Sequence, residues 1–155
     1  MINNQKILFK FIRMNNNNIN WHRISYRYIL SEKFIYEFKN KVNWAQISSK
    51  QKLSENFIRE FKDKLDWKYL SEYQKLSESF IREFKDKVNW RIISSRQDLS
   101  EDFIREFKDK VYWEAISKSQ KLSKKFISEF RTKVVWYNIP KNQRIFRILN
   151  KNLKK

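Results

Sequence analysis

The chain contains no cysteine and no glycine, and only one proline and one histidine among its 155 residues. Without Cys there are no disulfides, thiolate metal sites or thiol nucleophiles. Average usage of about 7 % would give roughly eleven glycines. Their absence excludes Gly-rich phosphate loops, the dinucleotide fingerprint and Asn-Gly hairpin turns. A lone His22 has no second His or Cys with which to hold a metal, and nothing beside it suggests a Ser-His-Asp arrangement. It reads as an exposed surface residue. Long apolar runs are equally scarce: the longest is Val134 to Tyr137, far short of the ~20 residues that span a bilayer. Lys10 breaks the apolar residues of the first twenty positions, so no secretory core is expected there, and an intracellular, soluble protein is the expectation. Acidic charge is in short supply as well, with 17 Asp plus Glu against 35 Lys plus Arg and a formal charge of +18.

Apolar side chains are plentiful, since Leu, Ile, Val and Phe fill 46 positions, and such a chain folds. Their arrangement is periodic. Trp stands at 21, 44, 67, 90, 113 and 136, every interval being 23, and a constant period of that size marks a stacked repeat. Numbered from its Trp, each repeat has Ile or Leu at position 4, Leu at 10, Ser at 11 and Phe-Ile at 14 and 15. The unit reads W-x-x-I-S-x-x-Q-K-L-S-E-x-F-I-R-E-F-K-D-K-V-N. Residues 1–20 read as a degenerate N-terminal capping repeat, 21–135 as five full repeats, and 136–155 as a partial repeat with a basic capping helix or tail. Worn terminal copies are expected where one face of the stack meets water.

Positions 10, 14, 15, 18 and 22 fall on one helical stripe. Ser at 11 is a good N-cap and Glu at 12 suits the positive end of the helix dipole. This predicts a longer helix over the second half of each repeat. Glu at repeat position 17 and Lys at repeat position 21 would brace it as an i,i+4 pair. A second, shorter helix is predicted to start at the Trp, behind Asn43, Asp66 or Asn89 as cap, and to end near position 7. Ser at 5 with Gln at 8 also resembles a capping box, which would start that helix later. No 23-residue piece buries enough apolar surface to stand alone, so neighbours must share faces. The expected fold is all-α: a short-unit α-solenoid of five full repeats between degenerate caps.

The stretch L-S-E-x-F-I-R-E-F-K-D-K-V-x-W, clearest at 76–90 and 99–113, resembles the tandem repeats predicted in proteins of large DNA viruses of the mimivirus type. The Lys-, Asn- and Ile-heavy composition fits an AT-rich genome of that kind. The resemblance spans about residues 5–143. It implies a repeat protein in a virion or host cytoplasm, with no biochemical activity or functional residues attached.

Two repeated side chains invite functional readings. The tryptophans Trp21, Trp44, Trp67, Trp90, Trp113 and Trp136 could stack bases in a basic groove, but a structural column buried in the solenoid core is the preferred reading. Gln51, Gln74, Gln97 and Gln120 at position 8 could read a ligand, but fit better as buried amides satisfying backbone groups between repeats. Carboxylate pairs such as Glu83 and Asp86 are flanked by Arg82 and Lys87 and read as charged helix faces, so neither an enzyme nor a cofactor is expected.

Charge is unevenly spread. Residues 1–20 and the first repeat carry +3 each, repeats two to four carry +1, +1 and 0, the fifth +4, and residues 136–155 carry +6 with no acid. A nucleic-acid-tracking solenoid would repeat unmatched cations in every unit, and this one does not. A tail carrying Lys141, Arg144, Arg147, Lys151, Lys154 and Lys155 could grip phosphate without sequence preference. Alternatively, Ile145, Ile148, Leu149 and Leu153 make it a basic amphipathic helix that closes the last repeat or lies on an anionic surface. The most variable positions, 2, 3, 6 and 7, lie on or beside the short helix. They supply a candidate interaction edge of Arg23, Arg27, Gln46, Lys50, Lys68, Tyr69, Tyr73, Arg91, Arg96, Glu114 and Lys118. The expected function is a non-enzymatic scaffold whose partner is another protein, with nucleic acid bound through the basic ends as the alternative.

Overall fold

The computed structural model describes residues 4–14 and 19–139, and among these every regular element is a helix. After α1 (Asn4–Met14), two kinds of short helix alternate. Those beginning at a Trp are α2 (Trp21–Arg27), α4 (Trp44–Lys50), α6 (Trp67–Tyr73), α8 (Trp90–Arg96) and α10 (Trp113–Ser119). Those beginning after the position-11 Ser are α3 (Glu32–Glu37), α5 (Glu55–Glu60), α7 (Glu78–Glu83), α9 (Glu101–Glu106) and α11 (Lys124–Glu129). The chain is therefore an all-α, short-unit helical repeat, stacked in solenoid fashion within each of two compact units, 1–76 and 77–155.

The caps explain where the helices begin. The side chains of Asn20, Asn43, Asp66 and Asn89 accept hydrogen bonds from N–H groups two or three residues on, starting the helix at the Trp. Tyr112 holds the same backbone conformation with no side-chain cap. Each position-11 Ser accepts from the N–H of Phe at position 14, at 3.1–3.3 Å. The capping-box alternative fails, because the position-5 Ser lies inside the Trp helix and donates to the Trp carbonyl at 2.7–2.8 Å. In α1 the equivalents of Ser and Glu are Leu8 and Phe9. With no cap to start a helix at that point, α1 runs through as eleven residues.

Helix ends bear the mark of the missing glycine. Helices commonly stop on a left-handed residue, usually Gly, yet no described residue has positive φ. The Trp helices instead step into extended backbone at position 8, as at Gln51 (φ −97, ψ 144). The other helices stop at Phe of position 18, as at Phe61 (φ −108, ψ 23). The longer helix expected over the second half of the repeat is thus only six residues. The position-22 N–H still bonds back to the Phe carbonyl, as in Leu65 to Phe61 at 3.1 Å, so a tight turn completes the unit. That turn and the helix together bury positions 14, 15 and 22, for example Phe57, Ile58 and Leu65, with Ile47 and Leu53 from the first half of the repeat.

Early termination also overturns the Glu-to-Lys pairing of positions 17 and 21. Glu at 17 is the last helical residue, so Lys at 21 is not one turn above it. Glu106 pairs with Arg82 and Lys110 with Asp86, while Glu129 pairs with Arg105 and Lys133 with Asp109. All four partners lie in the preceding repeat, at a sequence separation of 24. The i,i+4 pairs that do form join positions 12 and 16: Glu55–Arg59, Glu78–Arg82 and Glu101–Arg105.

Candidate functional site

Two sets of side chains must be separated: those that join repeats and those left for a partner. The position-8 glutamines belong to the first set. Gln51 is 3 % exposed and reaches into the repeat before it. Its Oε1 accepts from the Leu30 N–H at 2.8 Å, and its Nε2 donates to the carbonyls of Ser25 (3.0 Å) and Tyr28 (2.8 Å). Gln74 and Gln120 make the same three bonds. These amides satisfy the extended backbone that a helix ending without glycine leaves exposed, which accounts for their recurrence. The position-5 Ser adds a second link, accepting from the N–H of the next Trp helix's cap residue, as at Asn43, Asp66 and Tyr112. Glu32, Glu78 and Glu101 add a third, accepting from the N–H of Ser54, Ser100 and Ser123 in the following repeat at 2.5–2.6 Å.

The tryptophans are not the buried column expected from the sequence. Trp21, Trp44, Trp67, Trp90 and Trp113 are half-buried and Trp136 is exposed. Each indole from Trp44 onward donates through Nε1 to a carbonyl five residues back at 2.8–3.1 Å. That bond satisfies the indole N–H on the half-buried side of the ring. The ring packs on the position-18 Phe of its own repeat, with centroids 4.9 Å apart for Trp44–Phe61 and Trp90–Phe107. Lys41, Lys64 and Lys133 reach over Trp21, Trp44 and Trp113 at 5.6–5.9 Å. Base stacking needs a free aromatic face. In repeats one, two and five, Phe and Lys occupy the ring instead.

The candidate edge is accessible. Arg23, Arg27, Lys50, Lys68, Tyr73, Arg91, Arg96, Glu114 and Lys118 are exposed, while Gln46 and Tyr69 are half-buried. His22 is exposed beside them. Helical geometry puts positions 2, 3, 6 and 7 opposite the buried Ile or Leu at 4 and Ser at 5, so these side chains point away from the core by default. Neighbouring Trp helices lie side by side, α2 against α4 against α6 in the first unit and α8 against α10 in the second. An open groove of about 330 Å³ runs between α8 and α10, with Arg91, Arg96, Lys118 and Glu114 along it. Tyr112 lines it too, and the Arg91 guanidinium sits 5.2 Å above that ring. Sequence reasoning passed over Tyr112, which merely replaces the usual Asn or Asp cap. That departure from the repeat was the available signal.

Two charged groups have displaced pKa values, both at a repeat joint. The hydrogen bond from Lys133 holds the Asp109 carboxyl below its ordinary value of 3.8, and the bond to Glu129 raises the Arg105 guanidinium above its own. They report ion pairing between repeats four and five. The six tail cations Lys141, Arg144, Arg147, Lys151, Lys154 and Lys155, with the amphipathic tail they belong to, lie outside the described residues. Among those described, no helix is long and apolar enough to cross a membrane. No protein-family model matches this chain, and neither curated proteins nor solved structures yield a match.

Proposed function

We propose that the protein is a non-enzymatic repeat scaffold that presents the outer edge of its Trp-starting helices to another protein. One observation carries this reading: positions 2 and 7, which change from repeat to repeat, are exposed on all five Trp helices, whereas positions 5, 8, 10 and 11 are absorbed by the joints between repeats. Repeat proteins recognise partners through such side-by-side surfaces, with affinity spread over several units. The tryptophans already have partners for the ring face and the indole N–H in repeats two and five, which weighs against base stacking there.

The test is a pull-down from source cells with and without nuclease, using the full chain and the variant Arg23→Ala/Lys50→Ala/Arg91→Ala/Lys118→Ala. The reading expects a partner that survives nuclease and is lost from the variant. Partners that disappear with nuclease and persist in the variant would move the function to nucleic acid held by the basic ends.

A further inference from the structure

The groove between α8 and α10 carries a more specific chemistry than the edge as a whole. Arg91, Arg96 and Lys118 contribute three positive charges to it and Glu114 one negative. Four other cations of this compact unit are engaged within the stack: Arg82 and Arg105 lie on Glu106 and Glu129, and Lys110 and Lys133 on Asp86 and Asp109. Arg91 is held differently. Its guanidinium rests above the Tyr112 ring, a contact that fixes the plane while leaving the N–H edge free to donate to an oxyanion. Hydroxyl-bearing Ser119 lines the same groove, and an open cleft between two helices suits an extended chain.

We propose that this groove binds an acidic peptide segment whose carboxylates are separated by uncharged residues. The proposal rests on the edge reading above and names the chemistry of the partner. Charge complementarity selects an anion, and Glu114 selects which kind. A nucleic-acid strand places a phosphate at every residue and would set one against that carboxylate, a like-charge contact that penalises the wrong ligand. A peptide with spaced carboxylates can put an uncharged residue, or a backbone N–H donor, opposite Glu114. Ala115, also on the lining, offers the intervening side chains an apolar contact.

The experiment is a fluorescence anisotropy titration of the full chain with a labelled alternating Glu-Ser decapeptide, near 0.15 M salt, where charges beyond about 8 Å are screened. An alternating Gln-Ser decapeptide and an oligothymidylate decamer serve as parallel probes. Arg91→Ala/Lys118→Ala should weaken Glu-Ser binding about tenfold or more, as expected when paired charge contacts are removed. Lys124→Ala/Lys125→Ala removes the same net charge from exposed positions of the same unit that do not line the groove, and should change binding by less than about twofold. Glu114→Gln should tighten peptide binding, and the Gln-Ser peptide should not bind. Circular dichroism and thermal melting check that all variants keep the wild-type fold. Equal losses in the two double variants would reduce the effect to net charge and overturn the proposal. So would an oligothymidylate that binds more tightly than the peptide and loses affinity in the groove variant. If the peptide fails to bind while the pull-down variant still loses its nuclease-resistant partner, acidic recognition is wrong and the edge reading stands.

Discussion

The joint between repeats one and two differs from that between repeats four and five in a way that separates essential contacts from optional ones. Both have a buried glutamine, Gln51 or Gln120, bonded three ways into the preceding repeat. Both have a buried serine, Ser25 or Ser94, relaying to the next cap residue. Both have a glutamate, Glu32 or Glu101, on the next Ser N–H. The later joint adds the Arg105–Glu129 and Asp109–Lys133 ion pairs. The earlier one has Tyr36 and Asn40 where Arg and Asp would send those pairs forward, and Tyr36 meets Phe61 edge-on at 5.8 Å instead. The repeat thus stacks with or without rim charges, but keeps its buried amide in both places. Physical scale agrees: exposed ion pairs contribute about 0–1 kcal/mol, whereas each buried polar group left unpaired costs about 1–3 kcal/mol.

The comparison breaks if the glutamines prove dispensable. Gln51→Leu and Gln120→Leu should each cost about 3–5 kcal/mol, because one N–H and two carbonyls lose their partner at once. Urea unfolding of both variants should give similar losses despite the ion pairs at one joint only. A much milder effect at Gln120 would mean that the rim pairs carry that joint. Next in size are Trp44→Ala and Trp113→Ala. A half-buried ring should cost about 2–3 kcal/mol, below the ~3–5 kcal/mol of a fully buried one. Iodide should quench native tryptophan emission partially, and full protection would contradict the rim placement.

Ser25→Ala and Ser94→Ala remove an acceptor for the Asn43 and Tyr112 N–H groups and should cost about 1–2 kcal/mol each, measured in the same unfolding assay. Asn40→Asp gives Lys64 the carboxylate that Lys133 already has, and should stabilise by no more than about 0.5 kcal/mol. The smallest effect concerns pH. The Asp109 carboxyl is depressed by its Lys133 bond. Its contribution is therefore complete above the ordinary value of 3.8 and disappears as pH falls through the lowered one. Melting curves of wild type and Asp109→Asn should differ slightly at pH 5 and converge near pH 2.

Much of this was legible from the chain alone, for a definable reason. A strict 23-residue period aligns five copies of the same local problem, so caps, apolar stripes and helix starts can be read five times over. Asn43, Asp66 and Asn89 before Trp44, Trp67 and Trp90, and Ser at position 11, named the helix starts because capping is a matter of three or four consecutive residues. The candidate edge could be read as the positions that escape the repeat, although its groove and Tyr112 could not, since a groove exists only between two helices. The sequence by itself determined the repeat, its register, the alternation of two helices and the buried glutamine ladder.

Only the tertiary structure decided three things. It stopped the second helix at the position-18 Phe and closed the unit with a tight turn, in which the Phe61 carbonyl accepts from both the Lys64 and the Leu65 N–H. It redirected Glu at 17 from the Lys of its own repeat to an Arg of the repeat before, because stacking brings that Arg closer than the broken helix brings the Lys. It set the tryptophans at the rim, half-buried on the position-18 Phe with the indole N–H on a backbone carbonyl five residues back. In each case, contacts across a turn or between stacked repeats compete with those one helical turn away. Spacing along the chain ranks such competitors wrongly until the repeats are stacked.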